Sequence, residues 1–250
     1  MLEKDRIYEI AKKMGLKIHQ QEKHYMQTIA LSGIYSYITN ELVFKGGTAL
    51  FFFQGLDRFS EDLDFTLTTE FEETKLLDSI KNAFDLLAID MELKEVKSIT
   101  GKNYKIKAKG PAYTNEASTS IVDVEISDRK DIVLNPEIRQ HVPIYEDIKP
   151  FFVPIMSADE ILAEKVRAIM NRNKARDVYD LAFLLKKGAI FNTKLINKKT
   201  EYYKEKFVLG AFEEDLRKKG TNWKTDLHGL VKHIPDFEET VIYILSQLRN

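Results

Sequence analysis

The stretch from Phe44 to Leu67, FKGGTALFFFQGLDRFSEDLDFTL, constrains the fold more than any other part of the chain. It sets a diglycine shortly before two carboxylates spaced Asp-x-Asp. From Ser60 to Leu67, apolar Leu63, Phe65 and Leu67 alternate with polar Ser60, Asp62, Asp64 and Thr66, the period-two signature of a half-buried strand. Asp62 and Asp64 are therefore expected to project from one face. Two carboxylates side by side on a rigid strand repel one another unless a hard cation lies between them. Mg²⁺, or Mn²⁺ in its place, takes one or two carboxylates together with substrate phosphate oxygens. The pair reads as half of a metal site, with Asp62 and Asp64 as ligands.

The upstream residues suit the same chemistry. Leu42, Val43 and Phe44 read as a short buried strand, Gly46 and Gly47 as a tight turn, and Thr48 to Phe53 as a short helix that Gly55 closes. A helix start after a diglycine exposes backbone N–H groups. With the positive end of the helix dipole and the Thr48 hydroxyl, Gly46 and Gly47 are expected to cradle phosphate. Ser60 is a further candidate for a phosphate contact, or else a polar residue at a strand edge. A diglycine alone marks many turns, and Asp-x-Asp alone falls on many strand ends; the order and spacing of the two carry the reading.

G46-G47-T48-A49-L50 followed by R58-F59-S60-E61-D62-L63-D64-F65 closely resembles the first motif of the AbiEii/AbiGii toxin family of nucleotidyltransferases. A163-E164-K165-V166-R167-A168 and R176-D177-V178-Y179-D180-L181 resemble the family's later motifs, and the resemblance covers roughly residues 30 to 190. It implies a DNA polymerase β-like nucleotidyltransferase core and a toxin of a toxin–antitoxin or phage-defence pair, with an antitoxin protein as partner. Some members transfer nucleotides to tRNA, so the resemblance also implies an NTP substrate and tRNA or another RNA as acceptor. It further assigns Lys165 to the triphosphate and Asp177 to the catalytic centre.

Composition narrows the alternatives. At 250 residues and 44% apolar, the chain can bury a full core. Its 38 basic and 39 acidic residues give a formal net charge of −1, so any RNA contact must be a local patch. No apolar run approaches the roughly 18 residues needed to cross a bilayer, and MLEKDRIYEI lacks a signal-peptide core, which predicts a cytoplasmic protein without a membrane partner. The chain has no cysteine, which excludes disulfides, thiolate zinc sites and a cysteine nucleophile. Neither GxxxxGK[ST] nor GxGxxG is present, against a P-loop NTPase and a Rossmann dehydrogenase.

Along the chain, helical spacing predicts helices over 4–14, 17–39 and 72–89, and alternation predicts strands near 91–99, 103–109, 119–127 and 131–134. From Pro150 the pattern turns helical, with Ser157 and Glu160 as a capping-box signature. The expected fold class is α+β: a nucleotidyltransferase-type mixed sheet flanked by helices over 1–150, then a C-terminal helical bundle over 151–250. A third carboxylate is expected from I121-V122-D123-V124-E125-I126, where Asp123 and Glu125 face the same way and the sequence does not decide between them.

Without the family, Lys165 reads as a helix lysine paired with Glu160 or Glu164, and Arg176 as a partner for Asp177. Arg167, Arg172, Lys174 and Arg176 form one basic cluster. Lys105, Lys107 and Lys109 form another, or else guard an exposed edge strand. Two functional readings follow. One is a metal-dependent nucleotidyltransferase moving an NMP to an acceptor hydroxyl; the other is a non-catalytic nucleotide-binding regulatory module acting through a protein partner.

Overall fold

The structure is a computed structural model that describes residues 1–98 and 101–248. The chain divides into two compact units. The first comprises residues 1–55, 59–132 and 136–155, and the second residues 56–58, 133–135 and 156–250.

In the first unit, α1 (Lys4–Met14) ends at Gly15 and α2 (Ile18–Tyr37) follows. Then come β1 (Leu42–Lys45), α3 (Gly46–Phe53), β2 (Leu63–Leu67), α4 (Glu73–Asp85), β3 (Met91–Val96), β4 (Lys102–Ala108), β5 (Ser120–Ser127), β6 (Glu137–His141) and β7 (Phe151–Ile155). The strands form one seven-stranded mixed sheet of order β3-β4-β5-β2-β1-β7-β6. β2 lies antiparallel to β1 and parallel to β5, so the Asp-x-Asp strand is interior to the sheet. Phe44, Leu63, Phe65, Val122 and Val124 are fully buried in its core, covered by Ile29 and Ile34 of α2 and Ile80 and Phe84 of α4. Gly33 lets the two helices approach: a Cβ there would stand 2.9 Å from the Ile80 Cα.

Four expectations change. β7 is a strand of this sheet, so the sheet continues past residue 150 to Ile155. The strand expected at 131–134 is absent. There, Val133 and Leu134 donate their backbone N–H groups to the Glu160 carboxylate at 2.8 and 2.9 Å, which satisfies them without a ladder. The lysines of β4 do not guard an edge, because β3 pairs with β4 along its whole length. The strand expected over 91–99 ends at Val96, and residue 99 lies outside the described residues.

The second unit is helical: α5 (Ala158–Asn171), α6 (Arg176–Lys186), α7 (Thr193–Glu201), α8 (Leu209–Lys218), α9 (Trp223–Leu227) and α10 (Phe237–Leu248). Val166, Ile169, Val178, Leu181, Ile196, Phe212, Leu216, Leu227 and Ile244 are buried, each at helical spacing on its own element. Ser157 caps α5 by accepting from the Glu160 N–H at 3.3 Å. Only that half of the expected capping box forms, because the Glu160 side chain turns to residues 133–134 and to Lys199 at 2.6 Å.

Candidate active site

β1 delivers the chain to the diglycine, and Gly46 adopts φ +74°, a conformation that costs glycine nothing and other residues dearly. The second reason for glycine is space: a Cβ on Gly46 would lie 2.3 Å from Oδ2 of Asp64. The Asp64 carboxylate thus sits directly against the turn that opens α3. Asp62 precedes the first residue of β2, and its backbone is held in place. The Thr48 hydroxyl, fully buried, donates to the Asp62 carbonyl at 2.5 Å, so it fixes the carboxylate loop. Gln27 of α2 donates to the carbonyls of Ser60 and Glu61 at 3.1 and 2.8 Å. Ser60 is itself buried, so its place in the structure is as part of this fixed segment. Asp62 and Asp64 are both half-buried.

The parallel register sets Asp64 opposite Glu125, and across the antiparallel pair Lys45 opposite Asp64, so Lys45, Asp64 and Glu125 form one row on one face of the sheet. Asp123 lies on the same face two residues earlier and pairs with Lys105 at 3.3 Å. Of the two candidates for a third carboxylate, Glu125 is the one in register with Asp64, and it is exposed. Among the described residues no group of three or more His, Asp or Glu side chains is arranged to hold a metal ion.

In the second unit the remaining candidates enter a buried ion cluster. Lys165 reaches Asp177 at 2.9 Å and Asp180 at 2.6 Å, and both aspartates are fully buried. Arg58 grips Asp180 with two hydrogen bonds of 2.9 and 2.8 Å and is 2% exposed. Arg172 grips Asp177 in the same way at 2.8 and 2.9 Å. The partner of Lys165 is therefore neither Glu160 nor Glu164, and the arginine on Asp177 is Arg172 rather than Arg176. Burial alone would lower the Lys165 pKa and raise those of the aspartates. The charges of Asp180 and Asp177 overcome it for Lys165, which is raised; Lys165, Arg172 and Arg58 overcome it for Asp177 and Asp180, which are lowered. All stay ionised at neutral pH. Sequence reasoning missed the pairing of Arg58 with Asp180; the signals present were Arg58 inside the first motif and the i,i+3 spacing of Asp177 and Asp180 on one helix face.

No curated protein matches the chain in sequence. Among solved structures, the fold is similar to JHP933 from Helicobacter pylori, with 23% identity, a TM-score of 0.65, and coverage of 94% of this chain and 92% of that one. It is also similar to MenT4, a nucleotidyltransferase toxin from Mycobacterium tuberculosis, with 16% identity, a TM-score of 0.68, and coverage of 100% of this chain and 90% of that one. The sequence profile of the AbiEii nucleotidyl transferase toxins, described as a type IV toxin–antitoxin system, matches residues 30–242. With both motif blocks inside a match of that length, the chain belongs to the AbiEii family of nucleotidyltransferase toxins.

Proposed function

We propose that the chain transfers a nucleoside monophosphate from an NTP to a hydroxyl of an RNA acceptor, tRNA among the candidates, in the cytoplasm, and that an antitoxin counters it. The observation that carries the reading is the Asp64 carboxylate packed against the Gly46 turn, with Asp62 fixed two residues away by Thr48 and Gln27. The donor set fits Mg²⁺ or Mn²⁺: two half-buried carboxylates, Asp64 on β2 and Asp62 just before it, which would leave the rest of the coordination shell to phosphate oxygens. Such an ion, when bound, neutralises charge on the transferring and leaving phosphates.

The chain's own residues hold the reactants. The backbone N–H groups that open α3 are placed to orient the triphosphate. Glu125, in register with Asp64 and open to solvent, suits acceptance of the proton from the attacking hydroxyl. Lys165 and Asp177 keep the roles that the family resemblance implies, within a limit set by their surroundings. A lysine held charged by two carboxylates acts as a fixed cation, and neither it nor Asp177 can shuttle protons near pH 7.

Incubation of the full chain with labelled NTP, Mg²⁺ or Mn²⁺ and total RNA tests the reading. Transfer should appear with the metal, vanish with a chelator, and fall at least about 100-fold in both Asp62→Asn and Asp64→Asn with the fold intact by circular dichroism. Near-full transfer in either variant would remove the two-carboxylate site. Tight NTP binding without any transfer would favour the regulatory module.

A further inference from the structure

Helix α7 and the residues after it carry a basic surface that the catalytic carboxylates do not involve. An open groove of about 520 Å³ is lined by Lys194, Lys198, Lys204 and Lys206, with Glu201 and Glu205 the only acids in its wall. All four lysines are exposed. Several surface lysines elsewhere are matched to acids: Lys75 with Glu72, Lys109 with Asp90, Lys130 with Glu70 and Lys218 with Asp215 lie within 2.6 to 2.8 Å. Among the described residues the four groove lysines make no ion pair, although two glutamates share the groove. Glu205 instead accepts from Asn171 at 2.9 Å. In a chain of net charge −1, this is a local excess of positive charge.

The neighbouring residues are aromatic. Tyr202 and Tyr203, at the end of α7, are 55% and 40% exposed, and their rings meet edge to face at 5.2 Å. The Arg167 guanidinium lies 5.7 Å over the Tyr203 ring. Unpaired lysines beside exposed tyrosines match a strand that offers both phosphates and unstacked bases. An acidic peptide would use the lysines and leave the tyrosines idle; a membrane surface would call for apolar side chains, which the groove wall lacks.

We infer that the α7 groove binds a single-stranded nucleic acid segment, its backbone along the lysines and a base on Tyr202. The inference deepens the proposed function, on which its biological meaning rests, by giving the acceptor strand a docking surface. Binding itself is measurable without turnover. Fluorescence anisotropy of labelled 12-nucleotide RNA and DNA strands, titrated with the full chain at several salt concentrations, reads it directly. Lys194→Ala/Lys198→Ala/Lys206→Ala should weaken binding at least about tenfold and reduce the salt slope by about 2, at roughly 0.7 per phosphate contact on single strands. Lys12→Ala/Lys13→Ala/Lys81→Ala, exposed lysines of the first unit, should change neither.

Tyr202→Ser should weaken binding about fivefold or more with the salt slope unchanged, the mark of a lost stack rather than a lost charge. The RNA strand should bind at least as tightly as the DNA strand; clearly tighter binding of DNA would overturn the groove as a dock for the acceptor. Asp62→Asn should bind the strand like the wild type, which separates this surface from the chemistry. Equal effects of the two lysine triples, or no binding of either strand by the wild type, would overturn the inference. Loss of transfer in Asp62→Asn would still stand or fall independently.

Discussion

Gly46 and Gly55 share a φ of +74°, but they differ in what surrounds them. A methyl group on Gly46 meets the Asp64 carboxylate at 2.3 Å, whereas one on Gly55 meets nothing within 4 Å. Gly46→Ala should therefore cut turnover about 100-fold, the scale expected when a reacting group is misplaced by about 1 Å. Gly55→Ala should carry the same backbone strain with little kinetic effect. Equal losses in steady-state assays of the two variants would show that strain, not displacement of Asp64, is responsible. The closeness of the diglycine to Asp64 was legible, because a diglycine and an Asp-x-Asp lie within one short stretch and alternation sets the face of Asp64. The ion cluster was not. Local helix rules suggest partners three or four residues away, whereas Lys165 finds Asp177 and Asp180 twelve and fifteen positions on, and Arg58 finds Asp180 across 122 positions. No spacing in the sequence announces such pairs; the packing of α5 against α6 brings Lys165 to the aspartates, and the segment at residues 56–58 brings Arg58 to Asp180.

At the scale of elements, the long helices and interior strands were readable from their periodicity, and the short ribbon of β6 and β7 was not. Two five-residue strands, one containing Pro154, carry little pattern of their own and are defined by each other's register. Helix α2 shows a different limit. Its second half is apolar, but its first half buries Gln20, Gln21, Glu22, His24 and Gln27, which a hydrophobic pattern cannot place. These side chains serve a polar network. Gln21 donates to the Tyr145 hydroxyl at 2.6 Å, His24 Nδ1 shares a hydrogen bond with that hydroxyl at 2.6 Å, and the His24 ring stacks on Phe52 at 4.6 Å. Burial, with the nearby charge of His141, pushes His24 down to about 3, and burial pushes His141 down to about 4. The unfolded chain then binds more protons than the folded one from about pH 6.5 downward to those values. Stability should decline as pH falls through that window, by about 1.4 kcal/mol per pH unit for each histidine fully engaged. Urea midpoints at pH 7, 6 and 5 read the decline, and His24→Gln/His141→Gln should flatten it. An unchanged slope in the double variant would transfer the effect to carboxylates.

At the scale of the whole molecule, the family, the charge and the two site faces bear on what the protein does to a cell. The chain belongs to a family of nucleotidyltransferase toxins, and among the described residues no helix is long and apolar enough to cross a membrane. With a net charge of −1, it has no global attraction for nucleic acid that would arrest growth by indiscriminate binding. Toxicity should therefore depend on chemistry at Asp62. Induced without an antitoxin in a bacterium, the wild-type chain should halt growth, with labelled amino acid incorporation falling before labelled uridine incorporation if the acceptor is tRNA. Asp62→Asn, expressed to the same level, should grow normally, because a carboxamide keeps the shape of the side chain and removes the charge that would hold the metal. The α7 triple-alanine variant should fall between the two, since it retains the carboxylate pair and loses a docking surface for the acceptor. Growth arrest that persists in Asp62→Asn at matched expression would locate the toxicity in binding rather than transfer, and the regulatory module would then be the better account of the fold.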